Sequence, residues 1–137
     1  MFLIINTSKN TEMDLLLAKS KTDFKLINLP AYRRQSEKLL AAIDDFLKLN
    51  KIMINQLQGI GVVTGPGGFT SVRIGVVCAN TLAYALNVPV FGIRADKFKT
   101  EAQLVSKTVA GLEKKRGFGG LVLPYYDREP NITKKIA

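Results

Sequence analysis

Gly59-Ile60-Gly61-Val62-Val63-Thr64-Gly65-Pro66-Gly67-Gly68-Phe69-Thr70-Ser71-Val72-Arg73-Ile74-Gly75 runs from a short apolar stretch, through a glycine-rich turn, into the start of a helical pattern. A strand that empties through glycines into a helix N-terminus brings unpaired backbone N–H groups to one point. Such a point can hold an anion, or it can be a tight corner and nothing more. The loop lacks the Gly-Lys-Ser/Thr ending of a P-loop and the G-x-G-x-x-G spacing of a dinucleotide fingerprint. Gly65, Gly67 and Gly68, with Thr70 and Arg73 beyond them, are the candidates for anion contact. Glycine permits close backbone approach, and the helix dipole and Arg73 favour negative charge. On these residues alone the corner and the anion site stay open as alternatives.

Working outward, Phe2-Leu3-Ile4-Ile5 predicts a buried strand over 2–6. Met13–Lys19 and Asp23–Leu29 predict two more, joined by Ser20-Lys21-Thr22, and Thr7-Ser8-Lys9-Asn10 turns the first strand into the second. Pro30 closes this antiparallel meander. Ser36 is the expected N-cap of a helix carrying Leu39, Leu40, Ile43, Phe46 and Leu47, with Asn50 as its stop. Thr70 is the expected N-cap of a second helix, ended by Asn87. Residues 88–93 predict a strand, with Pro89 at its start. Phe98, Ala102, Val105, Val109 and Leu112 predict the stripe of a third helix. Leu121–Tyr126 has the composition of a last strand. The order is βββαβαβα, an α/β mixed sheet flanked by helices, whose second half pairs in parallel through right-handed crossovers.

The chain has 137 residues, 47% of them hydrophobic, enough for one domain with a real core. No basic segment precedes the first apolar run, which therefore reads as a strand and not as a signal peptide. The apolar runs fall short of a membrane span, and a cytoplasmic location is expected. One cysteine, Cys78, leaves no internal disulfide, and its apolar surroundings suit a small core residue. The absence of histidine removes Ser-His-Asp and Cys-His catalysis and His-based zinc sites. The net charge of +9 suits a polyanionic neighbour. The charge is dispersed, however: residues 1–93 hold ten Lys/Arg against six Asp/Glu, and residues 94–137 hold ten against five. A solvated basic surface and a contact surface for RNA or an acidic partner both remain open.

The second helix leaves little polar face, with Arg73 its only charge. A helix apolar all round must be covered on both sides. Its own sheet covers one side, so the other requires the first helix, a partner chain, or both.

Several segments are similar to one family. Gly65-Pro66-Gly67-Gly68-Phe69-Thr70-Ser71-Val72-Arg73-Ile74-Gly75 resembles the signature G-P-G-S-F-T-G-L-R-I-G of the TsaB (YeaZ) family, accessory proteins of bacterial tRNA threonylcarbamoyladenosine biosynthesis. Asn6-Thr7-Ser8 stands where that family has D-T-S, and Gln35-Ser36-Glu37-Lys38-Leu39-Leu40 stands at its H-S-x-x-L-L helix start. Tyr126-Asp127-Arg128-Glu129-Pro130 is similar to its terminal Y-x-R-x-P. The resemblance implies a single actin-like (ASKHA, ribonuclease-H-like) lobe over 1–116, with 117–137 a short strand and tail left from a second lobe. It implies no catalytic residue, no cofactor and no metal.

The role it implies is that of a scaffold that pairs with a TsaD-type threonylcarbamoyltransferase. A TsaE-type ATPase would join the complex, tRNA would be contacted indirectly, the isolated chain would form a homodimer, and no membrane would be involved. By the same carry-over the partner face comprises Leu39, Leu40, Ile43, Arg73, Val76, Val77, Asn80 and Tyr84. Asn6 departs from the family's acidic residue, and an amide is a poor magnesium ligand, so the resemblance implies a disarmed nucleotide site. Two other readings compete: a small nucleotide- or phosphate-binding enzyme using Gly65–Arg73, and a basic RNA-binding module.

Overall fold

The computed structural model describes residues 1–9, 11–30 and 35–126, with Gln35 described in its backbone alone. Five strands form one sheet in the order β3-β2-β1-β4-β5: β1 (Phe2–Asn6), β2 (Glu12–Ala18), β3 (Phe24–Pro30), β4 (Gly59–Val63) and β5 (Val90–Ile93). β1 lies at the centre, antiparallel to β2 (Phe2 opposite Ala18, Ile5 opposite Leu15) and parallel to β4 (Phe2 opposite Gly59, Ile5 opposite Val62). β5 continues the parallel half through Ile60 opposite Val90. A strand covered on both faces cannot alternate apolar with polar, which is why β1 reads as a continuous apolar run.

Side chains leave a strand on alternate faces, and the core divides accordingly. Leu3, Ile5, Leu15, Leu17, Ile60 and Val62 face one way, under helices α1 (Gln35–Leu49) and α2 (Phe69–Leu86). Phe2, Ile4, Leu16, Val63 and Ile93 face the other way, under α3 (Glu101–Glu113). This is the mixed sheet of an actin-like α/β lobe.

The helix ends show which local signals operate. α1 already includes Gln35, so Ser36 lies in its first turn and is not its N-cap. α2 begins at Phe69 with Gly68 as N-cap, which likewise places Thr70 inside the helix. Asn87 does stop α2, in the left-handed conformation (φ 53°), its N–H bonded to the Ala83 and Tyr84 carbonyls. α3 is capped by Thr100, whose hydroxyl accepts from Gln103 N at 3.1 Å. Its buried stripe is Leu104, Val105, Thr108, Val109 and Leu112. Phe98 precedes the helix and Ala102 is exposed, so the stripe starts later than its sequence spacing suggests.

Residues 121–126 form no strand. They pack against α2 and the end of β4, where the Asn80 side chain and the Thr64 carbonyl, not a neighbouring strand, take up backbone groups of Val122 and Tyr125. α2 is 18 residues long with a mean hydropathy of 1.3, long and apolar enough by length and composition to cross a membrane. Here it is the helix packed on β4, β1 and β5, beside α1.

Thr108 is fully buried, and among the described residues its Oγ1 has no hydrogen-bond partner. A buried unpaired hydroxyl costs about 1–3 kcal/mol. Thr108→Val keeps the shape and removes that cost, so urea unfolding should show it more stable than wild type by about 1 kcal/mol.

Candidate functional site

α1 and α2 lie side by side and leave a groove of about 430 Å³ between them. Its wall on α2 is built by Thr70, Arg73, Ile74, Val77, Cys78, Thr81 and Leu82, which recur at intervals of three and four and so share one helical stripe. α1 contributes Ser36, Leu39 and Leu40. Leu40 is 62% exposed and Val77 61%. Two large aliphatic side chains thus stand in water beside an apolar trough. Arg73 sits at the rim, its guanidinium 5.5 Å from the Phe69 ring centre, with no carboxylate in ion-pair reach among the described residues.

The structure divides the residues expected at the partner face. Leu40, Val77, Arg73 and Tyr84 (73% exposed) are accessible. Leu39, Ile43 and Val76 are each 2% exposed and belong to the core under the sheet. Leu39 still lines the groove, whereas Ile43 and Val76 do not, so the expectation that these two contact a partner is corrected. Glutamate at position 43 or 76 would bury a charge and unfold the lobe. Asn80 is committed within the chain: its Nδ2 donates to the Val122 carbonyl and its Oδ1 accepts from Val122 N, both at 2.9 Å. Tyr84 meets Phe118 edge to face, with ring centres 5.5 Å apart.

Cys78 lines the groove, half-buried, and burial pushes its thiol up to about 11. A thiol held in that state is a packing residue and a poor nucleophile.

The glycine loop is a corner filled by its own chain. Gly65 has φ +110°, and a Cβ there would lie 2.4 Å from the Tyr125 carbonyl oxygen. A Cβ on Gly67 would lie 2.3 Å from the Ser8 carbonyl oxygen. The Gly65 carbonyl accepts from Ala95 N at 2.8 Å, and Thr64 O accepts from Tyr125 N at 2.7 Å. Tyr126 stacks on Phe69 at 4.7 Å, and Arg94 lies 4.0 Å over Tyr125. The space opened by two of the candidate anion contacts, Gly65 and Gly67, is therefore faced by carbonyl oxygens, which repel an anion. Thr70 and Arg73 point into the α1–α2 groove, away from both. The expected anion set of Gly65, Gly67, Gly68, Thr70 and Arg73 is not brought together, because the helix turns its two polar members to another face.

At the end of β1, Asn6 is buried and its Oδ1 is occupied by Ser8, accepting from N at 3.0 Å and Oγ at 2.6 Å. Asp14, opposite Asn6 across the ladder, accepts from Asn28 Nδ2 at 2.6 Å and meets Lys9 at 3.4 Å. Lys9 also pairs with Glu12 at 3.0 Å, and its hydrogen bond, with one from Asn28, holds the Glu12 carboxyl below its ordinary value. Among the described residues no three His, Cys, Asp or Glu come together as a metal site. Of the expected terminal motif, Tyr126 is described, and Asp127, Arg128, Glu129 and Pro130 lie outside the described residues. The groove residues Ile74, Cys78, Thr81 and Leu82 were legible as a helical stripe containing Val77. The docking of Val122 and Tyr125 had no sequence signal, because nothing local specifies a side-chain amide as a strand substitute.

A family model described as "TsaD: tRNA N6-adenosine threonylcarbamoyltransferase" matches residues 29–106, more than half of the chain. The tRNA N6-adenosine threonylcarbamoyltransferase of Listeria innocua is 34% identical over 111 residues, covering 74% of this chain and 31% of that protein. The tRNA threonylcarbamoyladenosine biosynthesis protein TsaB of Bacillus subtilis is 30% identical over 127 residues, covering 91% of this chain and 49% of that protein. The structure of YeaZ from Pseudomonas aeruginosa superposes with a TM-score of 0.62 at 26% identity, over 68% of this chain and 43% of that one. The chain thus spans half or less of the length of these relatives.

Two expectations follow from the site. Asn80→Ala removes both hydrogen bonds to Val122 and should lower stability by about 1–2 kcal/mol, with faster amide exchange confined to residues 118–126. For Cys78 the folded pKa is raised, so its contribution is present below pH 9 and lost as pH rises through about 11. Unfolding midpoints at pH 8 to 11 should therefore show wild type losing stability relative to Cys78→Ala, by on the order of 1–2 kcal/mol.

Proposed function

The chain belongs to the TsaD/TsaB (YeaZ) family of tRNA threonylcarbamoyladenosine biosynthesis proteins, and from that premise we propose that it is a non-catalytic docking subunit for a TsaD-type threonylcarbamoyltransferase. The observation that carries this reading is the α1–α2 groove, where Leu40 and Val77 stand exposed beside an apolar trough. Burying an exposed leucine or valine contributes about 1.5–3 kcal/mol each. A partner helix laid in the groove would cover both and meet Arg73 with an acidic residue at the rim. The same face would pair two copies of this chain when the transferase is absent. A TsaE-type ATPase joining the complex and a cytoplasmic location belong to the same reading.

Catalytic silence is supported by the same geometry. Asn6 replaces a carboxylate and spends its oxygen on Ser8, and the glycine corner is closed by Ser8 and Tyr125 carbonyls. The lobe over residues 1–116 then contributes a surface and no chemistry of its own, and tRNA is modified by the partner.

Leu40→Glu and Val77→Glu place a charge at the centre of the groove without disturbing the core, since both side chains are exposed. Each should weaken association with the TsaD-type partner at least 100-fold, as an unpaired charge at an interface centre does, while circular dichroism and melting stay as in wild type. Light scattering on the mixture reads this directly. Unchanged complex formation by both variants would reject the groove as the docking face.

A further inference from the structure

The +9 charge has no role in a docking groove, and its distribution in the fold is uneven. α1 and α2 together carry three Lys/Arg and three Asp/Glu, whereas residues 94–116, which lead into, form and leave α3, carry seven against three. Of those three acids, Asp96 is held by Arg94 at 2.7 Å and Glu113 lies 3.9 Å from Lys21. Lys97, Lys99, Lys107, Lys114, Lys115 and Arg116 are all exposed, and none has a carboxylate partner among the described residues. They form two clusters. Lys97, Lys99 and Lys107 line one depression beside α3 together with Phe98, Gln103 and the Arg94-paired Asp96, and the bond from Lys107 Nζ to the Lys97 carbonyl draws two of them together. Lys114, Lys115 and Arg116 follow its end, about 10 Å along the helix axis beyond Lys107.

We infer that the α3 face is a binding surface for the phosphate backbone of RNA, so that this subunit contacts tRNA directly while its opposite face holds the partner. The inference rests on the docking proposal only for the identity of the RNA. The sheet separates the two faces, with α1 and α2 on one side and α3 on the other, so both can be engaged at once. The chemistry favours RNA over a protein or a bilayer. No large hydrophobic side chain between residues 94 and 116 is exposed. A protein partner would need an apolar anchor there, and a membrane would need side chains to insert. Spaced, unpaired cations with no apolar centre match phosphates, whose neutralisation releases counterions.

The test is fluorescence anisotropy of the full chain with unfractionated tRNA across 50–200 mM salt, comparing wild type with the triple variants Lys97→Gln/Lys99→Gln/Lys107→Gln and Lys114→Gln/Lys115→Gln/Arg116→Gln. Each triple variant should weaken binding at least tenfold at 50 mM salt and flatten the slope of log K against log salt by about 2–3, given about 0.9 per phosphate contact. Lys38→Gln/Lys48→Gln on α1 should leave the slope unchanged. Slopes equal to wild type in both α3 triples, or binding to phosphatidylserine vesicles without binding to tRNA, would overturn the inference. Failure here is distinguishable from failure of the docking reading: the α3 variants should still associate with the TsaD-type partner, and Val77→Glu should lose that partner with an unchanged tRNA slope.

Discussion

The packing of α2 against the central strands governs the rest of this structure. Val72, Val76, Ala79 and Ala83 face the sheet, and Thr7 Oγ1 donates to the Ser71 carbonyl at 2.6 Å, fixing the start of the helix against the end of β1. A helix so apolar cannot be completed by one sheet alone. α1 covers a second side, and the segment from Phe118 to Tyr126 covers part of a third through Asn80 and Tyr84. What stays uncovered is the stripe through Val77, and the proposed function lies there. Fold and function here are one problem of covering a single helix.

The glycine corner is the second constraint, and it acts by exclusion. Its glycines let the Ser8 and Tyr125 carbonyls come within a distance that no side chain allows. Those oxygens fill the space that side chains at Gly65 and Gly67 would need. The sequence feature that most invites a nucleotide is, in the folded chain, a corner packed by its own backbone. At the end of β1 the Asn6 side chain is likewise taken up within the chain, by the Ser8 N–H and hydroxyl.

Much of this was legible in the residues and some was not. The order of elements followed from periodicity and turn chemistry, because β1, β4 and the three helices carry strong patterns and Asn87 is an unambiguous stop. The helix starts at Ser36 and Thr70 were misplaced by one or two residues, since both helices begin before the residue whose side chain suggested a cap. The surplus of apolar residues on α2 called for a second cover beyond the sheet; α1 supplies part of it, and Val77 stays exposed. Which residues were uncovered could not be read from family resemblance, and Ile43 and Val76 were wrongly turned outward. Helical periodicity applied to Val77 would have returned Ile74, Cys78, Thr81 and Leu82, because residues that share a stripe share a fate. The docking of Val122 on Asn80 is a contact across 42 residues with no local signature, and only the folded chain displays it.

The proposed docking role stands or falls with the α1–α2 groove. Hydrogen–deuterium exchange on the chain, alone and with a TsaD-type transferase from the same organism, measures it most directly. Docking in the groove should give new protection confined to peptides of α1 and of α2 around Leu40 and Val77, with α3 unchanged. Protection centred on the glycine corner or on α3, or none at all in a mixture that forms a complex, would contradict it.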